Sequence, residues 1–329
     1  MTDNQATISP NDDASSEPPT NNPLLTEHTK FLSSIPPLLQ HTFFDTAPNT
    51  STLTPETRAE LWMTQSDLGE DLVNKYAWAI PDERSLNILA EFAPLVEIGA
   101  GANGYWARMM RERGLDVLAY DADPTHGGKI ETGEPGEKTQ IPQILKGGPE
   151  VLSDMDPKRT LFLCYPDEEA EPDPSSTEPP ASLGGACLAN FKGTHVIHVG
   201  ELYGDTLSID QAPWGRSSSI PFQEQLTKEY HCLLVARLPN WLHVRDTISV
   251  WKRSKRCGLV FQEEEEDKGE DGEKVEEEED EEEVEYKFIP KEEVLPRDVA
   301  APCVAHLLSN PSSSAKTDKK RKIDHSTVS

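Results

Sequence analysis

The sequence predicts an α/β three-layer sandwich with a mostly parallel sheet and a terminal antiparallel hairpin, flanked by disordered tails. Three observations predict it. Pro94 to Tyr120 reads as strand, glycine loop, helix, glycine, strand, which is a βαβ unit. Short apolar runs then alternate with helical patterns as far as Tyr230. Last, Cys232–Leu238 and Thr247–Lys252 read as two strands with no helix between them, which places an antiparallel pair at the sheet edge.

The elements follow in order. Residues 1–22 are rich in Ser, Thr, Asn, Asp and Pro, and residues 23–48 carry scattered apolar side chains broken by Pro36-Pro37, with room for a short docked helix. Thr54-Pro55 supplies a hydroxyl N-cap and a proline at the first helical position, so a helix runs from there to about Tyr76. Ser85 to Phe92 is a second helix, with Leu86, Leu89 and Ala90 at helical spacing. Pro94–Ile98 is a buried strand, Trp106–Arg113 a helix closed by Gly114, and Asp116–Tyr120 the next strand. A weaker strand is expected at 141–145 and a clear one at Thr160–Cys164, followed by a Pro- and Glu-rich loop to Pro180. Leu183–Phe191 and Phe222–Tyr230 read as helices around a strand at His195–Val199. The organisation is therefore residues 1–50 as a disordered segment, 51–257 as the folded domain, and 258–329 as an acidic, largely disordered tail.

Composition narrows the function classes. The formal charge is −28, but residues 262–285 hold 17 acidic and 2 basic residues, so more than half of the excess lies in one run. That run cannot pack on itself, because like charges repel. It reads either as a solvating tail or as an electrostatic lure for basic proteins such as histones or ribosomal proteins; nucleic acid is an unsuitable partner for it. The five cysteines are odd in number and widely spaced, which suits reduced thiols inside a cell and not a disulfide framework or a zinc site. His195 and His198, three apart in a strand, point to opposite faces and make a poor metal pair, so no metal is expected. No apolar run reaches the roughly 20 residues that span a bilayer, and the N-terminus has no signal pattern, so the expectation is a soluble, cytoplasmic or nuclear protein. Lys319-Lys320-Arg321-Lys322 has the composition of a nuclear import signal, or of a basic end that folds back on the acidic run.

The chemistry concentrates in Val96-Glu97-Ile98-Gly99-Ala100-Gly101-Ala102-Asn103-Gly104. Glycines between a strand and a helix let a ligand approach the backbone closely. An acid just before them suits an ammonium-bearing ligand better than a pyrophosphate. Asp121, about 20 residues on at the end of the next strand, is placed to accept hydrogen bonds from ribose hydroxyls. The blander reading is a simple turn with solvated strand-end acids.

Glu97-Ile98-Gly99-Ala100-Gly101 resembles the first motif of class I S-adenosylmethionine-dependent methyltransferases, and Asp121 resembles the acid that closes their second strand. A closer resemblance is to an uncharacterised methyltransferase-like family. It is carried by Tyr76–Pro81, Gly104-Tyr105-Trp106-Ala107, Ala119-Tyr120-Asp121, Gly147–Leu152, Leu161–Pro166, Val199-Gly200-Glu201, Pro239-Asn240-Trp241 and Arg245-Asp246. The resemblance implies a Rossmann-like fold and S-adenosylmethionine as cofactor, held by Glu97, Gly99, Gly101, Gly104 and Asp121, with Glu150 against adenine. It also implies a methyl acceptor near Tyr165 and Pro166. Two departures stand out: Ala102-Asn103 delays the third glycine by one residue, and Pro166 is followed by Asp167 where the family tends to have a second proline. Glu201 and Arg245-Asp246 line the open end of the sheet or form an ordinary ion pair. Trp241 and Trp251 read as packing residues. The competing functions are a non-catalytic relative that binds partners through its acidic run, and a Rossmann oxidoreductase, against which Glu97 and the terminal hairpin argue.

Overall fold

The computed structural model describes residues 21–36, 54–101, 103–124, 144–167, 182–202, 217–242, 244–259 and 284–309. Its elements in chain order are α1 (Pro23–Ser34), α2 (Pro55–Lys75), α3 (Glu83–Glu91), β1 (Leu95–Ile98), α4 (Tyr105–Glu112), β2 (Val117–Asp121) and β3 (Ile144–Lys146). After a 3-10 turn at Pro149–Asp154 come β4 (Thr160–Cys164), α5 (Leu183–Asn190), β5 (His195–Gly200), α6 (Ile220–Glu229), β6 (Tyr230–Arg237), β7 (Thr247–Arg253), β8 (Lys255–Leu259) and β9 (Val284–Phe288).

The helix starts follow the chain's own chemistry. The Thr54 hydroxyl accepts the Thr57 N–H at 3.2 Å. Asp82 and Ser85 cap each other reciprocally, with the Ser85 N–H on the Asp82 carboxylate at 2.7 Å. The first seven strands form one sheet in the order β3-β2-β1-β4-β5-β7-β6. β1 to β5 run parallel, and β7 runs antiparallel to both of its neighbours, β5 and β6. This is the Rossmann-like sheet with an antiparallel terminal pair that the sequence predicts.

Alternation along the strands sorts the core into two layers. Leu95, Phe162, Ile197 and Val199 pack on the side covered by α1 to α4. Val96, Ile98, Leu161, Leu163 and Val196 pack on the side of α5, α6 and the 3-10 turn. Topologically, the strand order reverses between β1 and β4, so the carboxyl ends of these two strands open a crevice.

Both edges of the folded unit lie beyond the 51–257 span read from the sequence. The possible helix in the N-terminal stretch is α1, whose Leu24 and Phe31 are buried in the first layer. At the other end, β9 pairs with β8 in a separate two-stranded ladder. Ala300 then bridges to Leu234 of β6, and Ala300, Ala301 and Val304 enter the same core. The returning segment at Ala300–Val304 is not legible in the sequence, because it contributes only a few apolar residues and periodicity over so short a stretch carries little signal. The expected tail residues 1–20 and 310–329, most of the acidic run, the loop after Asp167 and the Lys319–Lys322 cluster lie outside the described residues. Among the described residues no helix is long and apolar enough to cross a membrane, and no group of His, Cys, Asp or Glu could hold a metal ion.

Candidate functional site

The site is built at the carboxyl ends of β1, β2, β4 and β5. β1 delivers Glu97 on the face toward α4, opposite Phe162 of β4. The chain then turns through Gly99, Gly101 and Gly104 at φ of 76°, 66° and 50°. These left-handed angles are cheap only for glycine, and they let the backbone double back into α4. The residue that delays Gly104 is absorbed: the Asn103 side-chain amide donates to the Asn74 carbonyl at 2.9 Å, tying the loop to the end of α2. A methyl group added at Gly101 would meet nothing within 4 Å, so the loop faces open space there.

Asp121, at the end of β2, holds this loop. One carboxylate oxygen accepts the Gly101 N–H and the other the Asp123 N–H, both at 2.9 Å. Each oxygen retains a lone pair for a ligand hydroxyl. Next to it, the Asp121 carbonyl accepts the Gly147 N–H at 3.0 Å, which starts the turn that carries Glu150. The Glu150 carboxylate accepts the Gly148 N–H at 2.8 Å, and that bond, with one from its own backbone N–H, holds it below the usual carboxylate range. The structure thus brings Glu97, the three glycines and Asp121 together and sets Glu150 beside them in the 3-10 turn after β3.

Glu97 is the anomaly. It is 2% exposed, and its Oε2 takes no hydrogen bond from any described residue. Burial pushes its pKa up to about 8, against the pull of the Arg111 charge and the Ala107 N–H, and Asp121 adds to the rise. A desolvated acid whose Oε2 takes no hydrogen bond costs stability.

Across the crevice β4 ends in Cys164 and Tyr165. Tyr165 sits at φ 51°, a strained angle for a residue with a Cβ, and it is followed by the buried Pro166. Its hydroxyl donates to Asp246 at 2.7 Å. Trp78 stacks on the Tyr165 ring, with centroids 6.0 Å apart and planes within 15°. Burial raises the Asp246 pKa to about 7, with nearby Glu201 raising it and the Tyr165 hydroxyl opposing. Glu201 accepts the Arg245 backbone N–H at 2.6 Å. The sequence leaves Glu201 and Asp246 open between lining the open end of the sheet and an ion pair; both lie at that end. Their signal was position alone, just beyond β5 and just before β7. Trp78, whose role the sequence did not disclose, is the exposed rim of this group. Asp167, directly after Pro166, accepts from Ser182, Gly184 N–H and Ser219 N–H, and so joins the starts of α5 and α6. Trp241 and Trp251 are buried packing residues.

No protein-family model matches the chain, and no curated protein matches it. Among solved structures it is similar to a class I S-adenosylmethionine-dependent methyltransferase of Listeria monocytogenes, at 11% identity and a TM-score of 0.35, over 71% of this chain and 86% of that one. A magnesium protoporphyrin IX methyltransferase of Synechocystis with bound S-adenosylmethionine aligns at 10% identity and a TM-score of 0.30, over 72% of this chain and 100% of that one. CalO1, a methyltransferase of calicheamicin biosynthesis, aligns in its S-adenosylhomocysteine-bound form at 11% identity and a TM-score of 0.29, covering 71% of this chain and 70% of its own. Likenesses this distant add nothing to the fold that the strand order already defines.

Proposed function

We propose that the chain is an S-adenosylmethionine-dependent methyltransferase. The observation that carries this reading is Glu97: a buried carboxylate with an unpartnered oxygen, beneath a left-handed glycine loop at the point where the strand order reverses. A cationic ligand that brings its own ammonium suits this acid, and a pyrophosphate does not. The fit extends to Gly99, Gly101 and Gly104, which admit the ligand to the backbone, to Asp121, which retains lone pairs for ribose hydroxyls, and to Glu150 as the adenine-side neighbour. When bound, the cofactor supplies an activated methyl group. The protein's part is to hold donor and acceptor in line in a site sheltered from water. Tyr165 and Pro166 shape the acceptor side. No general base is required for such a displacement.

The test is calorimetric titration of the full chain with S-adenosylmethionine, S-adenosylhomocysteine and NAD. The expected result is binding of the first two and not of NAD. Asp121→Ala removes a charged acceptor worth about 1.5–3 kcal/mol, so affinity falls roughly ten- to a hundredfold. No heat with millimolar S-adenosylmethionine sinks the reading.

A second role is favoured by the β8–β9 ladder. The pairing of Leu259 with Val284 holds the two ends of the acidic stretch side by side, so the run is joined to paired strands at both ends. As an electrostatic lure for basic proteins its capture should fall with salt, since the screening length shrinks from about 10 Å at 0.1 M to about 3 Å at 1 M. Deleting residues 262–283 should abolish capture of histones and leave cofactor affinity unchanged. With the Lys319–Lys322 cluster, this role suits a protein of the nucleus or cytoplasm.

A further inference from the structure

The β8–β9 ladder turns one face to the sheet and the other to solvent. Its register pairs Arg256 with Lys287, Cys257 with Tyr286 and Lys255 with Phe288. Directly paired residues share a face, and successive residues alternate between faces. The Lys287 ammonium donates to the Tyr230 carbonyl at 2.9 Å, and Arg256 pairs with Glu285 at 2.7 Å while reaching the Lys228 carbonyl at 3.5 Å. Arg256, Glu285 and Lys287 are therefore the inner face. Cys257, Tyr286 and Phe288 are left on the outer one, with Lys255 at its rim. Tyr286 is 47% exposed and Phe288 59%. Among the described residues no other two exposed aromatic side chains share a strand face.

Charge decides what such a face would hold. Residues 262–283, joined to the ladder at both ends, carry 16 acidic and 2 basic residues, which the single Lys255 does not offset. Nucleic acid is repelled and basic proteins are drawn in. At contact, an aromatic ring face attracts a cation, and arginine more than lysine, because the planar guanidinium stacks flat on the ring. Tyr105 and Tyr230 already hold the chain's own Arg108 and Arg253 over their rings, at 4.9 and 4.6 Å. Among the described residues no cation lies over Tyr286 or Phe288. These two residues stand two apart on one strand, about 7 Å along it. An extended segment repeats its own side chains on one side at the same interval, so alternate arginines meet both rings.

We propose that the outer face of the β8–β9 ladder, centred on Tyr286 and Phe288, is a docking surface for an extended, arginine-rich segment of a partner protein. This rests on the reading of the acidic run as a lure for basic proteins, and it names the class of basic segment that is kept. The run attracts at a distance, without regard to which cation arrives. The two rings make the contact and select arginine. Attraction therefore falls with salt, whereas the preference for arginine over lysine belongs to the rings.

The experiment measures, by fluorescence anisotropy, the binding of labelled dodecapeptides of alternating Arg-Ser, Lys-Ser and Glu-Ser to the full chain, from about 0.05 to about 0.5 M salt. The expected result is that Arg-Ser binds about fivefold or more tighter than Lys-Ser, and that Glu-Ser does not bind. The double variant Tyr286→Ser with Phe288→Ser weakens Arg-Ser about tenfold and removes its advantage over Lys-Ser, while the dependence on salt is unchanged. Tyr286→Leu with Phe288→Leu keeps the apolar bulk without the ring faces and does the same. Melting curves show whether each variant is folded; where the serine pair loosens the ladder, the leucine pair decides. Equal binding of Arg-Ser and Lys-Ser to the wild type, or an arginine preference that survives in the leucine pair, overturns the docking surface and leaves the lure standing. Self-association of the wild type that both pairs abolish gives the face to a second copy and overturns the proposal. Binding that appears only when residues 310–329 are removed gives it to the chain's own basic end, with the same consequence. If neither basic peptide binds with or without residues 310–329, the lure reading itself falls, and the docking surface with it.

Discussion

The two ends of the sheet treat charge in opposite ways. Toward the amino-terminal ends of the parallel strands, Asp116, Glu229 and Glu293 each have a cation. Arg159 makes two bonds to Asp116 at 2.9 and 3.0 Å, Arg253 pairs with Glu229 at 3.1 Å, and Glu293 pairs with both Lys252 and His231. At the carboxyl-terminal ends Glu97 and Asp246 are buried with no salt bridge among the described residues. Burying an acid unpaired opposes folding, whereas pairing it at a half-exposed edge is close to neutral. The amino end is organised for the fold. The carboxyl end keeps buried acids that a positively charged ligand would stabilise.

The largest test of this contrast removes what stabilises and spares what binds. A chain confined to residues 51–257 lacks the buried Leu24, Phe31, Ile35, Ala300, Ala301 and Val304. At roughly 1.5–3 kcal/mol for each large side chain, melting should fall by about 10 °C or more. A truncated chain that melts with the full one would show that α1 and the returning 284–309 segment are surface ornaments.

Arg253→Ala should come next. Arg253 also bonds the Gly193 and Phe191 carbonyls and the Tyr230 hydroxyl, and its guanidinium lies over the Tyr230 ring at 4.6 Å. Its loss leaves those acceptors short of a donor, at about 2–4 kcal/mol in chemical denaturation. Cofactor affinity, at the far end, should stay put; a matching loss of affinity would mean that the two ends are not separable.

Much of this was readable beforehand, and the gaps have physical reasons. β1, the glycine loop and Asp121 announce themselves because tight turns and close ligand approach restrict residue choice. β6 and β7 show in the sequence because both are apolar and no helix parts them. Asp246 and Trp78 do not, since their meaning lies in contacts across 81 and 87 positions of sequence, from Tyr165 to Asp246 at 2.7 Å and from Trp78 to Tyr165 at 6.0 Å respectively. Glu97 stands beside the glycines in the sequence, but nothing in a linear pattern reveals that its Oε2 takes no hydrogen bond. The same holds for Ala300 and Ala301: two alanines after a proline- and glutamate-rich stretch have no periodicity to betray that they bridge to β6.

The finest test is made with protons. Glu97 and Asp246 have folded pKa values of about 8 and about 7, above the ordinary 4.5 and 3.8. In the window between, the folded state therefore binds more protons than the unfolded one, and stability must fall as pH rises toward 8. His198 works the other way but in a lower window: burial depresses it from 6.5 to about 4, so it stays neutral in the fold and costs stability only as pH drops below 6.5. Between pH 6.5 and 8 the two acids set the slope. Glu97→Gln keeps the shape of the side chain without its charge, so it should stabilise the protein at pH 8 by on the order of 1–3 kcal/mol and flatten the slope. The same variant should bind S-adenosylmethionine at least tenfold more weakly, because the ammonium loses its carboxylate. In the wild type, binding a cation at Glu97 favours the charged acid, so affinity should rise from pH 6 to 8 with release of up to one proton, read by calorimetry in buffers of different ionisation enthalpy. A variant that is both no more stable and no weaker in binding would mean that Glu97 is an ordinary core residue, and the contrast between the two ends of the sheet would go with it.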